Sequence, residues 1–178
     1  MHQVVLLDYK KAFDLIDHNL LVQKIFSLAI PRDVALWVVD FLALRHQCVK
    51  LSSDCYSEWG LVPAGVPRGT KLAPWHLILM ISDLRVNNVH AWKYVDDTTI
   101  AEIVPSGGQS NIQSAVDVVQ GWSNNQSMQL NADKCKELIV DFKKRKDVFD
   151  PVRGGGKDLS KAQCVKILGV TIANDLIM

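Results

Sequence analysis

The sequence predicts an α+β fold in which an antiparallel sheet carries acidic residues and helices pack on its other face. Residues 91–101 place two adjacent acids, Asp96 and Asp97, between segments of aromatic and β-branched residues. Such residues favour strands and aspartate favours turns, so the stretch is typical of a hairpin with the acids at its tip. The apolar run 4–7 predicts another strand, which ends at a third acid, Asp8. If the two stretches are neighbouring strands, three carboxylates converge.

A convergence of three carboxylates has a chemical consequence. Like charges repel, and such a cluster is difficult to keep ionised without cations. Magnesium suits it, because this ion takes oxygen ligands and leaves coordination positions for water and substrate phosphates. The alternative for the Asp96-Asp97 pair is a solvated turn, since so short a motif also occurs by chance.

Composition and charge limit the class of protein. The 178 residues suit a single domain, and fractions of 48% hydrophobic and 22% charged residues are typical of a globular chain. The net charge of +1 excludes a uniformly basic chain, so a polyanion would have to meet local cationic clusters or metal ions. The cysteines lack Cys-x-x-Cys spacing, and neither a secretory signal nor a long apolar run is present. We therefore expect an intracellular protein of the cytoplasm or nucleus with free thiols, neither secreted nor in a membrane.

Two helices are predicted after the first acid. Apolar residues at helical spacing between positions 20 and 29 predict a helix with Asp17 as its N-cap and Pro31 at its end. Pro31 also suits the first turn of a second helix. Residues 45–52 then alternate as a short strand. The apolar residues expected to be buried by the second helix are Val34, Leu36, Trp37, Val38, Phe41 and Leu42.

A loop rich in glycine and proline, residues 65–74, is the second informative stretch. Its glycines allow close backbone approach, its prolines stiffen it, and Pro74 can open a helix from Trp75 to about Asn87. Exposed amides with Arg68 and Lys71, next to a helix N-terminus, suit a triphosphate or a base pair. The alternative is an ordinary loop with solvated cations.

The last third of the chain predicts one helix and two strands. The helix begins at Ser110, which forms a capping box with Gln113. One strand covers about residues 135–142, and the last covers residues 164–172.

Two connecting segments separate these last strands. The basic run 143–146 is typical of a solvated loop, with contact to template or primer phosphates as the alternative. The glycines at positions 154–156 predict a flexible connector.

Several motifs in chain order resemble one protein family. They read LDYKKAFD at residues 7–14, GVPRGTKLAP at 65–74 and YVDD at 94–97. This order resembles the palm of reverse transcriptases, above all those of non-LTR (LINE-type) retrotransposons. The pair Gly121-Trp122 and residues 130–136 resemble the family's next motif, and KILGV at 166–170 resembles the strand leading towards the thumb. The resemblance spans nearly the whole chain.

The resemblance implies a palm-type RNA-directed DNA polymerase that uses two Mg²⁺ ions, with Mn²⁺ as an alternative. Asp8 and Asp96 would bridge the ions and Asp97 would support them, so all three are expected to be catalytic and metal-binding. One ion would activate the primer 3′-hydroxyl and the other would stabilise the leaving pyrophosphate. The residues implied in nucleotide binding are Tyr9, Phe13, Pro67, Arg68, Gly69 and Lys134.

Two of these residues have specific implied roles. Phe13 matches the family's steric gate, whose ring collides with a ribose 2′-hydroxyl and so selects deoxynucleotides. Lys134 matches a lysine that assists pyrophosphate departure, with an ordinary surface lysine as its alternative.

The sequence also departs from the family. Arg68 stands where glutamine is usual, and Thr70 and Ala73 stand where serines are common. Residues 1–178 are expected to be a single partial domain, a palm truncated at both ends that lacks the thumb and the N-terminal part of the fingers.

Such a fragment of a longer retrotransposon polyprotein would bind RNA template, DNA primer and dNTP, and would be at best a feeble polymerase. The alternative is an inactive retroelement relic that at most binds nucleic acid. A nucleotide cyclase would keep the acids but would have no use for Phe13 or for loop 65–74.

Overall fold

The structure, a computed structural model, describes residues 1–142 and 149–175. The helices in these residues are His18–Phe26 (α1), Arg32–Leu42 (α2), Leu72–Met80 (α3) and Ile112–Asn125 (α4). The strands are His2–Leu7 (β1), His46–Gln47 (β2), Lys50–Ser52 (β3), Cys55–Tyr56 (β4), Gly60–Leu61 (β5), His90–Tyr94 (β6), Asp97–Ile103 (β7), Lys136–Val140 (β8), Arg153–Gly154 (β9), Lys157–Asp158 (β10), Ser160–Ala162 (β11), Cys164–Ile167 (β12) and Val170–Ala173 (β13). The chain divides into two compact units, Met1–Lys10 with Leu84–Met178, and Lys11–Asp83.

A five-stranded sheet forms the centre of the first unit, in the order β11-β8-β1-β7-β6. All its pairings are antiparallel except that of β11 with β8. Helix α4 packs against β7 and buries Ile112, Val116 and Val119 completely. The antiparallel-dominated α+β architecture expected from the sequence is therefore confirmed, and so are the hairpin β6-β7 and the strand at β8.

The predicted last strand is instead a hairpin. Strands β12 and β13 pair across a two-residue turn, Leu168-Gly169, in which both φ angles are positive (47° and 90°). The predicted flexible connector is also a hairpin turn, because Gly155 and Gly156 have φ of 61° and 82° between the paired strands β9 and β10. Two successive residues with positive φ match the twist of a tight hairpin. The basic run 143–146 lies outside the described residues.

The predicted capping box at the start of α4 is wrong. The Ser110 hydroxyl accepts a hydrogen bond from the Ile112 amide (3.1 Å), but the Gln113 side chain reaches Asp117 and the Arg153 main chain instead. The carboxylate of Glu102, in β7, accepts the Asn111 amide at 2.8 Å. A side chain from the sheet thus satisfies this helix terminus.

The second unit contains α1, α2 and α3. Asp17 caps α1 as predicted, because its carboxylate accepts the amides of Asn19 and Leu20. Helix α2 buries the stripe Ala35, Val38 and Leu42, which share one face. The predicted burial of Val34, Leu36 and Trp37 is wrong, since these side chains point away from that stripe and Trp37 is 61% exposed.

Two further elements of this unit differ from expectation. Helix α3 begins at Leu72, before the predicted Trp75, because the Thr70 hydroxyl accepts the Ala73 amide at 3.3 Å. It ends at Met80. The Ser82 amide then donates to the Leu79 carbonyl, three residues earlier, and this 3₁₀-type hydrogen bond closes the last turn. The predicted strand at residues 45–52 is two strands, β2 and β3, paired with β5 and β4 respectively.

None of the helices in the described residues has the length and apolarity needed to cross a bilayer.

Candidate active site

The register of the sheet brings the three acids to one end of the first unit. Strand β1 pairs with β7 so that Leu7 lies opposite Thr98, and the next pair of positions in this register is Asp8 and Asp97. Asp96 lies in the two-residue turn that joins β6 to β7. The structure thus places Asp8 beside the hairpin that carries the other two acids.

The hairpin turn that carries Asp96 has an unusual backbone. Tyr94 pairs with Asp97, so Val95 and Asp96 alone form the loop. Val95 has φ 54°, a left-handed conformation that β-branched residues rarely adopt. Such a conformation costs on the order of 1–3 kcal/mol and is typical of functional sites.

The acids influence one another electrostatically. The pKa of Asp97 is raised, first by burial and then by the negative charges of Asp96 and Asp8, while Lys134 opposes the rise. The Asp8 Oδ1 atom is buried and has no hydrogen-bond partner among the described residues. Its Oδ2 atom lies 3.7 Å from the Lys134 ammonium, which is 67% exposed. A negative centre with one adjacent cation therefore forms at this end of the sheet.

The main chain of Asp8 is held by a turn that precedes β8. The Asp8 carbonyl accepts the Asn131 amide at 2.8 Å, and its amide donates to the Cys135 sulfur at 3.4 Å. The same turn is closed by the Lys134 amide, which donates to the Asn131 carbonyl at 2.9 Å. Cys135 is fully buried, and burial raises the pKa of its thiol. Sequence reasoning missed these supporting contacts, although residues 130–136 resemble a motif of the family.

Tyr9 is a core residue of the first unit. Its side chain is 3% exposed and meets the Trp122 ring edge-on, with ring centres 6.4 Å apart. Its hydroxyl is directed towards Thr98 and Ser123 without reaching hydrogen-bond geometry with the described residues, and burial raises its pKa. The Tyr9 side chain therefore contributes to the packing of this unit, whereas the sequence implied a role in nucleotide binding.

Four of the other implied nucleotide-binding residues belong to the second unit: Phe13, Pro67, Arg68 and Gly69. There, the loop that contains the last three is hydrogen-bonded to the segment after Asp8. The Gly65 amide donates to the Ile16 carbonyl and the Val66 amide to the Phe13 carbonyl, both at 2.8 Å. Gly65 has φ 80°, and a Cβ there would lie 2.6 Å from the Asp14 carbonyl oxygen. Glycine is required here by conformation and by close approach.

A shallow cavity of about 390 Å³ lies against this loop. Phe13, Arg68, Gly69 and Lys71 line it together with the start of α3, and Pro67 precedes them in the loop. The Arg68 guanidinium lies 5.7 Å from the centre of the Phe13 ring and donates to Asp14 Oδ2 at 2.8 Å. The cavity thus combines an aromatic ring, two cationic side chains and a helix N-terminus, a combination suited to a phosphorylated ligand.

Comparison with known proteins identifies the family. The family model described as reverse transcriptase (RNA-dependent DNA polymerase) matches residues 2–172. The chain belongs to the reverse transcriptase family. The RNA-directed DNA polymerase from the mobile element jockey of Drosophila melanogaster is 29% identical to this reverse transcriptase chain over 182 residues, which cover 96% of the chain and 19% of that protein. The predicted resemblance to LINE-type reverse transcriptases is confirmed, and the chain spans about a fifth of the length of this relative.

A solved structure supports the palm-type fold. The apo telomerase from Candida tropicalis, truncated from its C-terminal domain, superposes on 97% of the reverse transcriptase chain and 34% of its own chain. The TM-score is 0.59 and the sequence identity 14%. At this identity the likeness concerns the fold alone.

The family uses divalent metal ions, and the three acids are the candidate ligands for such ions in this reverse transcriptase. Within residues 1–142 and 149–175, no three His, Cys, Asp or Glu side chains are arranged as a ready metal-binding set. The donor chemistry nevertheless suits a hard cation, because all three candidates are carboxylates and the buried Asp8 Oδ1 lacks a partner in those residues. Burial is the main cause of the raised pKa of Asp97, and the repulsion from Asp96 and Asp8 adds to it; a cation would relieve that repulsion.

Proposed function

We propose that this chain is the catalytic palm of an RNA-directed DNA polymerase, which joins deoxynucleotides to the 3′-hydroxyl of a DNA primer on an RNA template. The observation that carries the proposal is the register of β1 with β7, which sets Asp8 beside the Asp96-Asp97 hairpin within a reverse transcriptase match of residues 2–172. The remainder of a longer retrotransposon polyprotein would supply the other parts of the enzyme.

The three acids would hold two Mg²⁺ ions, with Mn²⁺ as an alternative. When bound, such ions lower the pKa of the attacking hydroxyl and neutralise charge on the leaving pyrophosphate. Asp8 would direct its unpartnered buried Oδ1 at this site, while the turn at Asn131 and Cys135 fixes its main chain. Asp97 is held as the first residue of β7.

Lys134 would act on the leaving group. Its ammonium lies 3.7 Å from Asp8 Oδ2 but is mostly exposed, so a modest rotation frees it to meet an incoming phosphate. Because the Lys134 side chain is 67% exposed and its ammonium lies 3.7 Å from Asp8 Oδ2, water screens their attraction, and exchanging Asp8 for a phosphate costs little. In this role Lys134 would provide positive charge to the leaving pyrophosphate and would contribute little to the stability of the fold.

The cavity beside loop 65–74 would take the incoming nucleotide. Phe13 is half-buried at its wall, where its ring would meet the sugar and exclude a 2′-hydroxyl. Arg68 and Lys71 would attract the phosphates. Pro67, directly before Arg68, and Gly69, directly after it, would shape the loop.

Primer extension on poly(rA)/oligo(dT) with Mg²⁺ tests the proposal. Asp96→Asn keeps the shape of the turn but removes a ligand charge, so we expect activity to fall at least about 100-fold. Asp54→Asn, in the exposed turn between β3 and β4, is the matched control and should leave activity unchanged.

The assay should be run on residues 1–178 and on a longer version extended at the N-terminus. Extension by the longer version alone would place the chemistry in this chain and the missing binding energy upstream. No extension by either version would overturn the proposal in favour of an inactive relic.

A further inference from the structure

Arg68 touches two consecutive residues of the segment that follows the first acid. Its Nη2 atom lies 2.8 Å from Asp14 Oδ2, and its guanidinium carbon lies 5.7 Å from the centre of the Phe13 ring. The Val66 amide bonds to the Phe13 carbonyl, so the main chains of the two segments are already joined two residues earlier. Arg68 adds a side-chain contact to a backbone that is fixed without it.

We infer that Arg68 and Asp14 form a positioning pair that fixes the orientation of the Phe13 ring and so sets how strictly the nucleotide cavity excludes a ribose 2′-hydroxyl. The inference rests on the proposed function, in which Phe13 meets the sugar. It assigns a role to Asp14 and to the unusual arginine at position 68.

The Phe13 ring can change its orientation. Phe13 is partly exposed where it lines the cavity, so its ring can exchange between staggered rotamers. The ring blocks a 2′-hydroxyl only in the rotamers that direct it into the cavity. A cation over its face favours one orientation, because the ring face carries negative charge.

Asp14 determines where that cation lies. A charge-assisted hydrogen bond between carboxylate and guanidinium is directional, so it holds Arg68 over Phe13. The pair is exposed, and exposed ion pairs contribute little to folding. Its effect should therefore appear in the ring and in sugar selection, with little change in stability.

The first experiment observes the ring directly. 4-Fluorophenylalanine is incorporated at position 13, and ¹⁹F NMR spectra are recorded for the unchanged chain, Arg68→Gln, Asp14→Asn and the double variant. Arg153→Gln is the matched control, since Arg153 also makes an ion pair (3.0 Å to Asp158) and is 72% exposed against 63% for Arg68.

We expect both single variants to shift or broaden the resonance. The double variant should do no more than the larger single change, because the two residues act as one unit. Arg153→Gln should have no effect. An unchanged resonance in Arg68→Gln or in Asp14→Asn would overturn the inference, whatever the activity of the chain.

The second experiment measures sugar selection by titrating the labelled chains with dATP and ATP in Mg²⁺. Arg68→Gln can weaken both nucleotides, so the ratio of the two dissociation constants is the quantity compared. We expect the preference for dATP to fall roughly threefold in Arg68→Gln and in Asp14→Asn, as loss of an exposed cation–π contact predicts. A shifted resonance with an unchanged ratio would overturn the selecting role of the pair.

Failure of the proposed function would look different. If the label in the unchanged chain responds to neither nucleotide, the nucleotide site and the selecting role are both overturned. If unlabelled Phe13→Ala keeps its dATP preference by calorimetry, the ring is not the gate, and Arg68 and Asp14 have no gate to position.

Discussion

At the scale of single residues, Val95, Asp8 and His76 hold energetically unfavourable states. Val95 adopts a left-handed backbone in the turn beside Asp96, and Asp8 Oδ1 is buried with no partner among the described residues. His76, in α3, is fully buried, and neither ring nitrogen has a hydrogen-bond partner in the described chain. Each of these costs free energy that the surrounding packing must offset.

Val95→Gly tests the strain in the turn. Glycine reaches φ 54° without steric cost, so we expect the free energy of unfolding to rise by roughly 1 kcal/mol after allowance for the more flexible unfolded chain. Urea denaturation measures the change. Ala91→Gly, at an exposed position of β6, should instead lower stability, and a loss of stability in Val95→Gly would contradict a strained turn.

At the scale of elements, the sequence patterns predicted the features that are determined by contacts between residues close together in the chain. The alternation around residues 91–101 predicted the β6-β7 hairpin, and Asp17 predicted the start of α1. The cap of α4 could not be predicted locally, because its acceptor, Glu102, comes from β7. The exposed face of α2 was not predicted, for a similar reason. An apolar residue such as Trp37 does not by itself indicate which side of the helix packs against the core.

The candidate site likewise contains residues that the sequence predicted and residues that it did not. The acids were predictable because each follows a strand signal and aspartates recur in the family motifs. The supports of Asp8 were not, because Asn131 and Cys135 lie more than a hundred residues away along the chain. The contact of Arg68 with Asp14 also depends on the chain folding back, which neither segment encodes alone.

Gly65→Ala tests the clamp between loop 65–74 and the segment after Asp8. An alanine Cβ would lie 2.6 Å from the Asp14 carbonyl oxygen at φ 80°, so we expect a loss of roughly 2–4 kcal/mol in the free energy of unfolding. Gly69→Ala has a similar φ of 83° with no described atom within 4 Å of the added carbon, and should cost about 1 kcal/mol. Equal losses in the two variants, measured by urea denaturation, would argue against the steric clamp.

At the scale of the whole molecule, stability should fall in mild acid because of one histidine. Burial lowers the pKa of His76 to about 4, with a further contribution from the positive charge of His18. The unfolded chain, with a histidine pKa near 6.5, then binds more protons between those values, so stability is lost as pH falls below about 6.5.

His76→Leu should remove this dependence. At pH 5 the lowered pKa implies a penalty of roughly 2 kcal/mol, which the leucine variant avoids, while the difference due to protonation vanishes near pH 7.5. Thermal or urea unfolding at both pH values measures it. The exposed His46→Leu is the control, and an acid penalty that persists in His76→Leu would exclude His76 as its source.

The order of strands in the sheet also constrains how the chain is made. Strand β1 lies between β7 and β8, so its partners are residues 97–103 and 136–140. In the sequence, the whole second unit lies between β1 and these two partner strands. At roughly 5–20 residues per second of synthesis, β1 leaves the ribosome about 5–20 s before β7 can meet it. The Lys11–Asp83 unit is complete in the meantime, so a nascent chain would assemble the cavity proposed for the nucleotide before the acids proposed to hold the metal ions.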